Sequence, residues 1–255
     1  MSAQNVIDSM DRMRVNPDAS WISQIVSNAT KTGVLNLSVF VCPKFNTPAL
    51  FSARPEEYMP TSADDPDDLF FQRIPKLKQV LSDLTKTGVI PKLHILIGDN
   101  DAEVYIFPFK DVNVNPAVFN ERRKAYTESF RARAEKLFGN NAEVLSLALE
   151  GVVPGTAEAQ IVPEELTNEL VFFSWLFGDT GPYKGNLKFD QRTLELMVRL
   201  KFALYGAQGA YLEKIGGILL QTEGPGVWLL RTRMLRCTGA KAVPAIYPWI
   251  RKEEA

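Results

Sequence analysis

Apolar positions along the chain switch between two spacings, and the switches mark out the elements. Leu35-Asn-Leu-Ser-Val-Phe-Val-Cys42 is dense in β-favouring residues and stops at Pro43, which predicts a first buried strand. Lys92-Leu-His-Ile-Leu-Ile-Gly98 and Glu143-Val-Leu-Ser-Leu-Ala-Leu149 predict a second and a third. Between them the spacing is helical, from Leu69 to Thr87 with Gly88 as the stop, and from Pro116 to Phe138 with Gly139-Asn140-Asn141 behind it. Upstream, residues 1–33 read as an amphipathic helical lead-in, with Ile22, Ile25 and Val26 at helical spacing and Gly33 at its end, expected to cover one sheet edge. Downstream, helices are predicted from Glu164 to Phe177 and from Asp190 to about Lys214. Two last strands, Ile218 to Glu223 and Ala242 to Tyr247, flank a helix from Pro225 to Leu235.

Strands alternating with helices imply parallel pairing through right-handed crossovers. The expected fold class is therefore α/β, a Rossmann-like parallel five-stranded sheet flanked by helices on both faces, as a single domain over residues 1–255. Residues 43–68 break the rhythm. They carry Pro43, Pro48, Pro55, Pro60 and Pro66 and the acidic stretch Asp64-Asp65-Pro66-Asp67-Asp68, so they are read as a long connecting loop. Loops of that length inside a compact domain are often functional.

Composition narrows the chemistry. Apolar residues at 45% and charged residues at 23% describe a globular chain with enough apolar surface to form a core, which excludes wholesale disorder. Lys and Arg number 29 against 30 Asp and Glu, so contact with nucleic acid requires a local basic patch. Cys42 and Cys237 are too few for a disulfide framework or a closed zinc site, which points to a reducing compartment. The first residues carry charges where a secretion signal needs an apolar run, and no stretch is long enough to span a bilayer. A cytoplasmic protein with no membrane partner is expected. The single histidine, His94, lies mid-strand in an apolar run and reads as a core side chain, so chemistry that needs two imidazoles is excluded. No glycine-rich phosphate motif follows any predicted strand, which argues against the usual dinucleotide and P-loop sites.

Ligands of open parallel sheets bind beyond the carboxyl ends of the strands, where this chain places Cys42, Asp99, Asp101, Glu223 and Tyr247. Cys42 is a candidate nucleophile or a structural thiol. Asp99-Asn100-Asp101 is a candidate divalent-ion site or a polar turn. Glu223, in Gln221-Thr-Glu-Gly-Pro225, can bind an amine, shuttle a proton, or cap the next helix. Tyr205, Gln208 and Tyr211 can line the same pocket or pack with hydrated polar ends. The predicted helix over 116–138 carries Arg122, Arg123, Lys124, Arg131, Arg133 and Lys136 beside a stripe of Phe119, Tyr126, Phe130 and Leu137. Such a helix contacts RNA phosphates without reading sequence, or is a solvated face with ion pairs along it.

In order along the chain, these pieces resemble the tRNA-dependent cyclodipeptide synthases, which share the Rossmann-like fold of class I aminoacyl-tRNA synthetases. The resemblance runs over roughly residues 35–250. It rests on Val41-Cys42-Pro43-Lys44-Phe45-Asn46, where the family has a nucleophilic serine, a proline and a nearby asparagine. It rests also on Asp99 followed by the basic helix, on Glu223-Gly224-Pro225 as the Glu-x-Pro motif, and on Tyr247 as the distal tyrosine. Cysteine replaces the serine, Leu219 replaces the first tyrosine, and the His and Gly that precede the nucleophile are absent, features closer to a divergent, arginine-using branch.

The resemblance implies an aminoacyltransferase that takes two aminoacyl-tRNAs and forms a cyclic dipeptide, with no cofactor, no metal and no DNA partner. Cys42 would carry the aminoacyl group, Glu223 would hold or deprotonate the α-amino group, and Tyr247 would assist ring closure. If the cysteine is misaligned with the family's serine, Ser38 or Ser52 would be the nucleophile. Asn46, Asp99, Asp101, Gln208 and Gln221 would line the substrate pocket, with Asp99, Asp101 and Glu103 suited to a cationic side chain. Arg122, Arg123, Lys124, Arg131, Arg133 and Lys136 would hold tRNA. Two readings compete, a metal-dependent nucleotide-sugar glycosyltransferase built on Asp99-Asn100-Asp101 and a non-catalytic tRNA-binding protein of the same fold.

Overall fold

A computed structural model describes residues 22–46, 49, 52–63, 69–72, 74–105, 113–154, 163–176, 190–220 and 245–246. Helix α1 (Ile22–Thr32) ends at Gly33, whose φ of 75° is a left-handed turn that glycine adopts readily, and the chain enters strand β1 (Val34–Val41). Of the helix expected over 69–87, the described residues show α2 (Leu69–Gln72) and α3 (Ile74–Thr85), with residue 73 outside the described residues. Strand β2 (Ile90–Ile97) follows, then a four-residue α4 (Ala102–Tyr105). The long helix α5 (Pro116–Phe138) has the predicted bounds because Asn115 caps it, accepting from the Ala117 N–H at 3.0 Å, and Pro116 opens it. Strand β3 (Ala142–Ser146), helix α6 (Pro163–Leu176) and helix α7 (Gln191–Ile215) come next. Asp190 caps α7, taking the Thr193 N–H at 2.7 Å. Strand β4 (Ile218–Leu220) and a two-residue β5 (Ala245–Ile246) complete the sheet.

The protein is α/β, with a parallel sheet flanked by helices and ordered β3-β2-β1-β4-β5. Five full strands were expected, and the described residues build four. Of a fifth, the described residues show the pairs Leu219 to Ala245 and Leu220 to Ile246. The predicted helix from Pro225 to Leu235, Cys237, the acidic stretch 64–68 and residues 1–21 lie outside the described residues.

Pleating divides the core in two. Leu35, Leu37, Val39 and Val41 of β1, with Leu93, Ile95 and Ile97 of β2, face α3 and α5, whose Leu77, Phe119, Tyr126 and Phe130 fill that side. On the other face Phe40, Leu96, Leu145 and Leu219 pack under α7 through Tyr205, Tyr211, Leu212 and Ile215. Both central strands are covered on both faces, which is why their sequences are nearly continuous in apolar residues.

The segment after β1 departs from expectation. Read as a plain connection, it contributes Tyr58 and Met59 to the core, both fully buried, next to a short 3-10 turn at Pro55–Tyr58. The Phe45 ring stacks on Tyr58 with centroids 4.6 Å apart, and the Asn46 N–H donates to the Tyr58 carbonyl at 2.9 Å. Stacking half-buried Phe45 on buried Tyr58 holds the chain just beyond Cys42 against the body of the protein. No helix among the described residues is long and apolar enough to cross a membrane.

Candidate active site

Parallel pairing of β1 with β2 matches Val41 to Ile97, so Cys42 leaves the sheet beside Gly98. The Gly98 N–H donates to the Val41 carbonyl at 2.8 Å, extending the ladder by one bond. Cys42 is exposed, and its Sγ lies 3.5 Å from the point where a β-carbon on Gly98 would sit. Glycine leaves the thiol without a side chain over it on that side. Of the two serines that could have replaced it, Ser38 is buried at 2% exposure. Ser52 is exposed, with its hydroxyl donating to the Ala49 carbonyl at 2.8 Å and accepting from the Arg54 N–H at 3.0 Å.

The acids next to this edge face inward. Asp99 is fully buried, and its carboxylate accepts from Ser146 Oγ at 2.5 Å and from the Ala148 N–H at 3.1 Å. Burial pushes the Asp99 carboxyl up from its ordinary value, while the Ser146 and Ala148 hydrogen bonds and the Arg123 charge pull it back. Asn100 is also buried, donating to the Val152 carbonyl at 2.8 Å and accepting from Gln208 Nε2 at 3.1 Å. Asp101 is half-buried at the start of α4. The tripeptide thus joins β2 to the turn after β3 and to α7, and Asp99 has no face toward a metal or a nucleotide sugar. Among the described residues no group of three or more His, Cys, Asp or Glu could hold a metal ion.

The basic helix needs a larger correction. Arg123, expected on the RNA face, is buried at 3% exposure. Its guanidinium donates to Asn120 Oδ1 at 2.9 Å, to the Asp99 carbonyl at 2.9 Å and to Glu103 Oε1 at 3.1 Å, and lies 4.7 Å over the Phe119 ring. Arg122 donates to the Met59 carbonyl at 2.7 Å, Arg133 to the Ala63 carbonyl at 2.5 Å while stacking over Phe71, and Arg131 to the Val144 carbonyl at 3.3 Å. These arginines anchor α5 to the segment after β1 and to β3. The exposed charges of α5 are Lys124, Arg131 and Lys136 against Glu121, Glu128 and Glu135, and Lys124 pairs with Glu121 at 2.9 Å. The exposed charges balance, and the half-buried Arg122 and Arg133, bonded to neutral carbonyls, keep their positive charge beside them.

Arg123 was legible as a core residue. Positions 119, 123, 126 and 130 recur at helical spacing, so Arg123 belongs to the stripe assigned to the aromatics. Replacing it by lysine keeps the charge and loses the forked geometry that serves three acceptors. Arg123→Lys should lower unfolding stability by about 1–3 kcal/mol, read by urea denaturation, because buried acceptors lose their donors. A change within about 0.5 kcal/mol would show that one donor suffices.

Of the predicted site residues, Cys42, Asp99, Asp101 and Gln208 gather at the carboxyl edge, directly or through Asn100. Asn46 is exposed four residues past the cysteine. Gln221, Glu223 and Tyr247 lie outside the described residues, Gln221 directly after β4. Missed from sequence were Ser146 and Val152, whose contacts depend on how β3 registers against β2. Compared with family models and with curated proteins, the sequence matches none.

Proposed function

We propose that this chain is an aminoacyltransferase acting at the carboxyl edge of its sheet, with Cys42 as the acyl-accepting nucleophile and charged tRNA as the donor. One observation carries the reading. Cys42 is exposed at the end of β1, and in the order β3-β2-β1-β4-β5 that strand borders the point where successive strands change direction. Crevices at such points are where ligands of Rossmann-like sheets bind. The buried Asp99 and Asn100 brace the loop beneath that edge, so the thiol stands on a fixed floor.

The cysteine thiolate attacks the aminoacyl ester carbon, the bond to the ribose oxygen breaks, and the first tRNA leaves with its hydroxyl restored. The amine of a second aminoacyl-tRNA attacks the thioester, the thiol takes over the dipeptide from its tRNA ester, and attack by the free amine releases the ring and the thiolate. Glu223 and Tyr247 are the proton carriers in this scheme. The substrate arrives activated, so no nucleotide cofactor is required. The burial of Asp99 favours this reading over the sugar-transfer alternative, which needs that carboxylate on a metal.

The test is intact-protein mass spectrometry after mixing the chain with a pool of charged tRNAs, arginyl-tRNA included. An adduct of one aminoacyl group mapped to Cys42, with a cyclic dipeptide in the small-molecule fraction, is the expected result. A chain of unchanged mass and no dipeptide from any charged tRNA would discard the proposal.

A further inference from the structure

Helix α6 exposes much of its apolar side. Among its described side chains Glu169 alone is fully buried, with Leu166 and Leu170 half-buried, while Val171 is 66% and Trp175 51% exposed and Phe172 is exposed beside them. The Phe172 and Trp175 rings pack together with centroids 5.8 Å apart, so the patch is continuous. Its inner side is held by charge. Lys201 of α7 brings Nζ to 3.6 Å from the Glu169 carboxylate and to 5.0 Å from the centre of the Phe172 ring. A helix on the surface of a lone domain ordinarily buries its apolar stripe and shows its charges. Here a carboxylate is inside and a tryptophan outside, the arrangement of a helix with a second face to cover.

Two exposed stripes carry that face. On α6 they are Glu164, Asn168, Val171 and Trp175 at helical spacing, and on α7 Arg192, Leu196 and Arg199. Glu195, on the flank of the second stripe, accepts from the Gln191 amide at 3.2 Å. The first stripe is negative at one end and apolar at the other, and the second sets a leucine between two cations. Each therefore complements the other, and a surface of that kind closes on a second copy of itself, α6 of one chain on α7 of the next, with the same contact made twice about a two-fold axis. We propose that this face of α6 and α7 is the interface between two copies of the chain. Val171, Phe172, Trp175 and Leu196 form its apolar centre, and Glu164 faces the partner's Arg192 and the partner's Arg199 at its rim.

A second copy fits better than other occupants. An RNA would meet Glu164 and the aromatic side of the patch as well as the arginines, and like charge there repels phosphate. An unrelated protein would need both stripes in mirror order, which a second copy carries by construction. Tryptophan and arginine are also the side chains that most often dominate the energy of protein interfaces.

The experiment is sedimentation velocity on the purified full chain, free of nucleic acid, from about 1 to about 100 μM, a span of ordinary dimer affinities. The mass should reach twice 28.6 kDa. Trp175→Glu and Val171→Glu place a charge in the apolar centre, on side chains already half or more exposed, so each should match wild type in circular dichroism and raise the dissociation constant by about a hundredfold or more. Arg192→Glu with Arg199→Glu should raise it by at least about tenfold, and Glu164→Arg added to that chain should restore part of the loss. A 28.6 kDa species at every concentration would overturn the proposal, whether the face stays bare or the chain covers it from within. So would a dimer that the centre variants leave intact, which would use another face, or one indifferent to the charge reversals, which would break the match of α6 with α7. If Trp175→Glu does not fold, Val171→Glu decides.

Discussion

Gly217→Ala should unfold at a midpoint roughly 10–20 °C below wild type, an effect of about 3–6 kcal/mol in a chain of this size. Gly217 has a φ of 105°, which side-chain-bearing residues rarely adopt. A β-carbon there would fall on the Asn36 carbonyl and lie 2.8 Å from the Asn36 β-carbon. Asn36 is on β1, the central strand, and its backbone is committed to a ladder, so the strain can be relieved only by separating β4 from β1. Gly216 is the control. Its φ of 71° and ψ of 166° lie in a region essentially confined to glycine, but nothing lies within 4 Å of an added β-carbon, so Gly216→Ala should cost only backbone strain of about 1–3 kcal/mol. Differential scanning calorimetry of the two variants separates packing from backbone conformation. Equal midpoints would mean that β4 yields freely, and the close approach at Asn36 would then carry no weight in stability.

Local rules made much of this fold legible. The two central strands and the helix over 116–138 are announced by apolar density, by Asn115-Pro116 at one end and by Gly139 at the other, signals that act within a few residues. Contacts set by register were hidden. Ser146 reaches Asp99 only because β3 pairs with β2 so that Ser146 stands opposite Ile97, and nothing near either residue encodes that. The basic helix was misread for another reason. Arginines were counted as surface because of their charge, although spacing placed Arg123 on the buried stripe, and a guanidinium can be buried when carbonyls and a carboxylate occupy its donors. The loop after β1 was misjudged through its prolines, while Phe45 and Tyr58, which pin it, drew no attention.

Cys42→Ala should lose the aminoacyl adduct and the cyclic dipeptide together, a drop on the order of 10³-fold or more in product formation, with stability unchanged within about 0.5 kcal/mol. The stability half follows from exposure, since removing an exposed sulfur opens no cavity in the core. The activity half follows from the proposed chemistry, because both acyl intermediates are attached to that sulfur. Cys42→Ser is the sharper variant. It leaves an adduct that resists neutral hydroxylamine, as an oxygen ester does, where the wild-type thioester is cleaved. The wild-type acylation rate should also rise with pH as the thiol gives way to the thiolate, and the serine variant should lack that dependence. Ser52→Ala should behave as wild type, and buried Ser38 offers no second nucleophile. An adduct that survives in Cys42→Ala, or one that maps to Ser52, would remove the cysteine from the mechanism while leaving the transferase reading to be carried by another residue at the same edge.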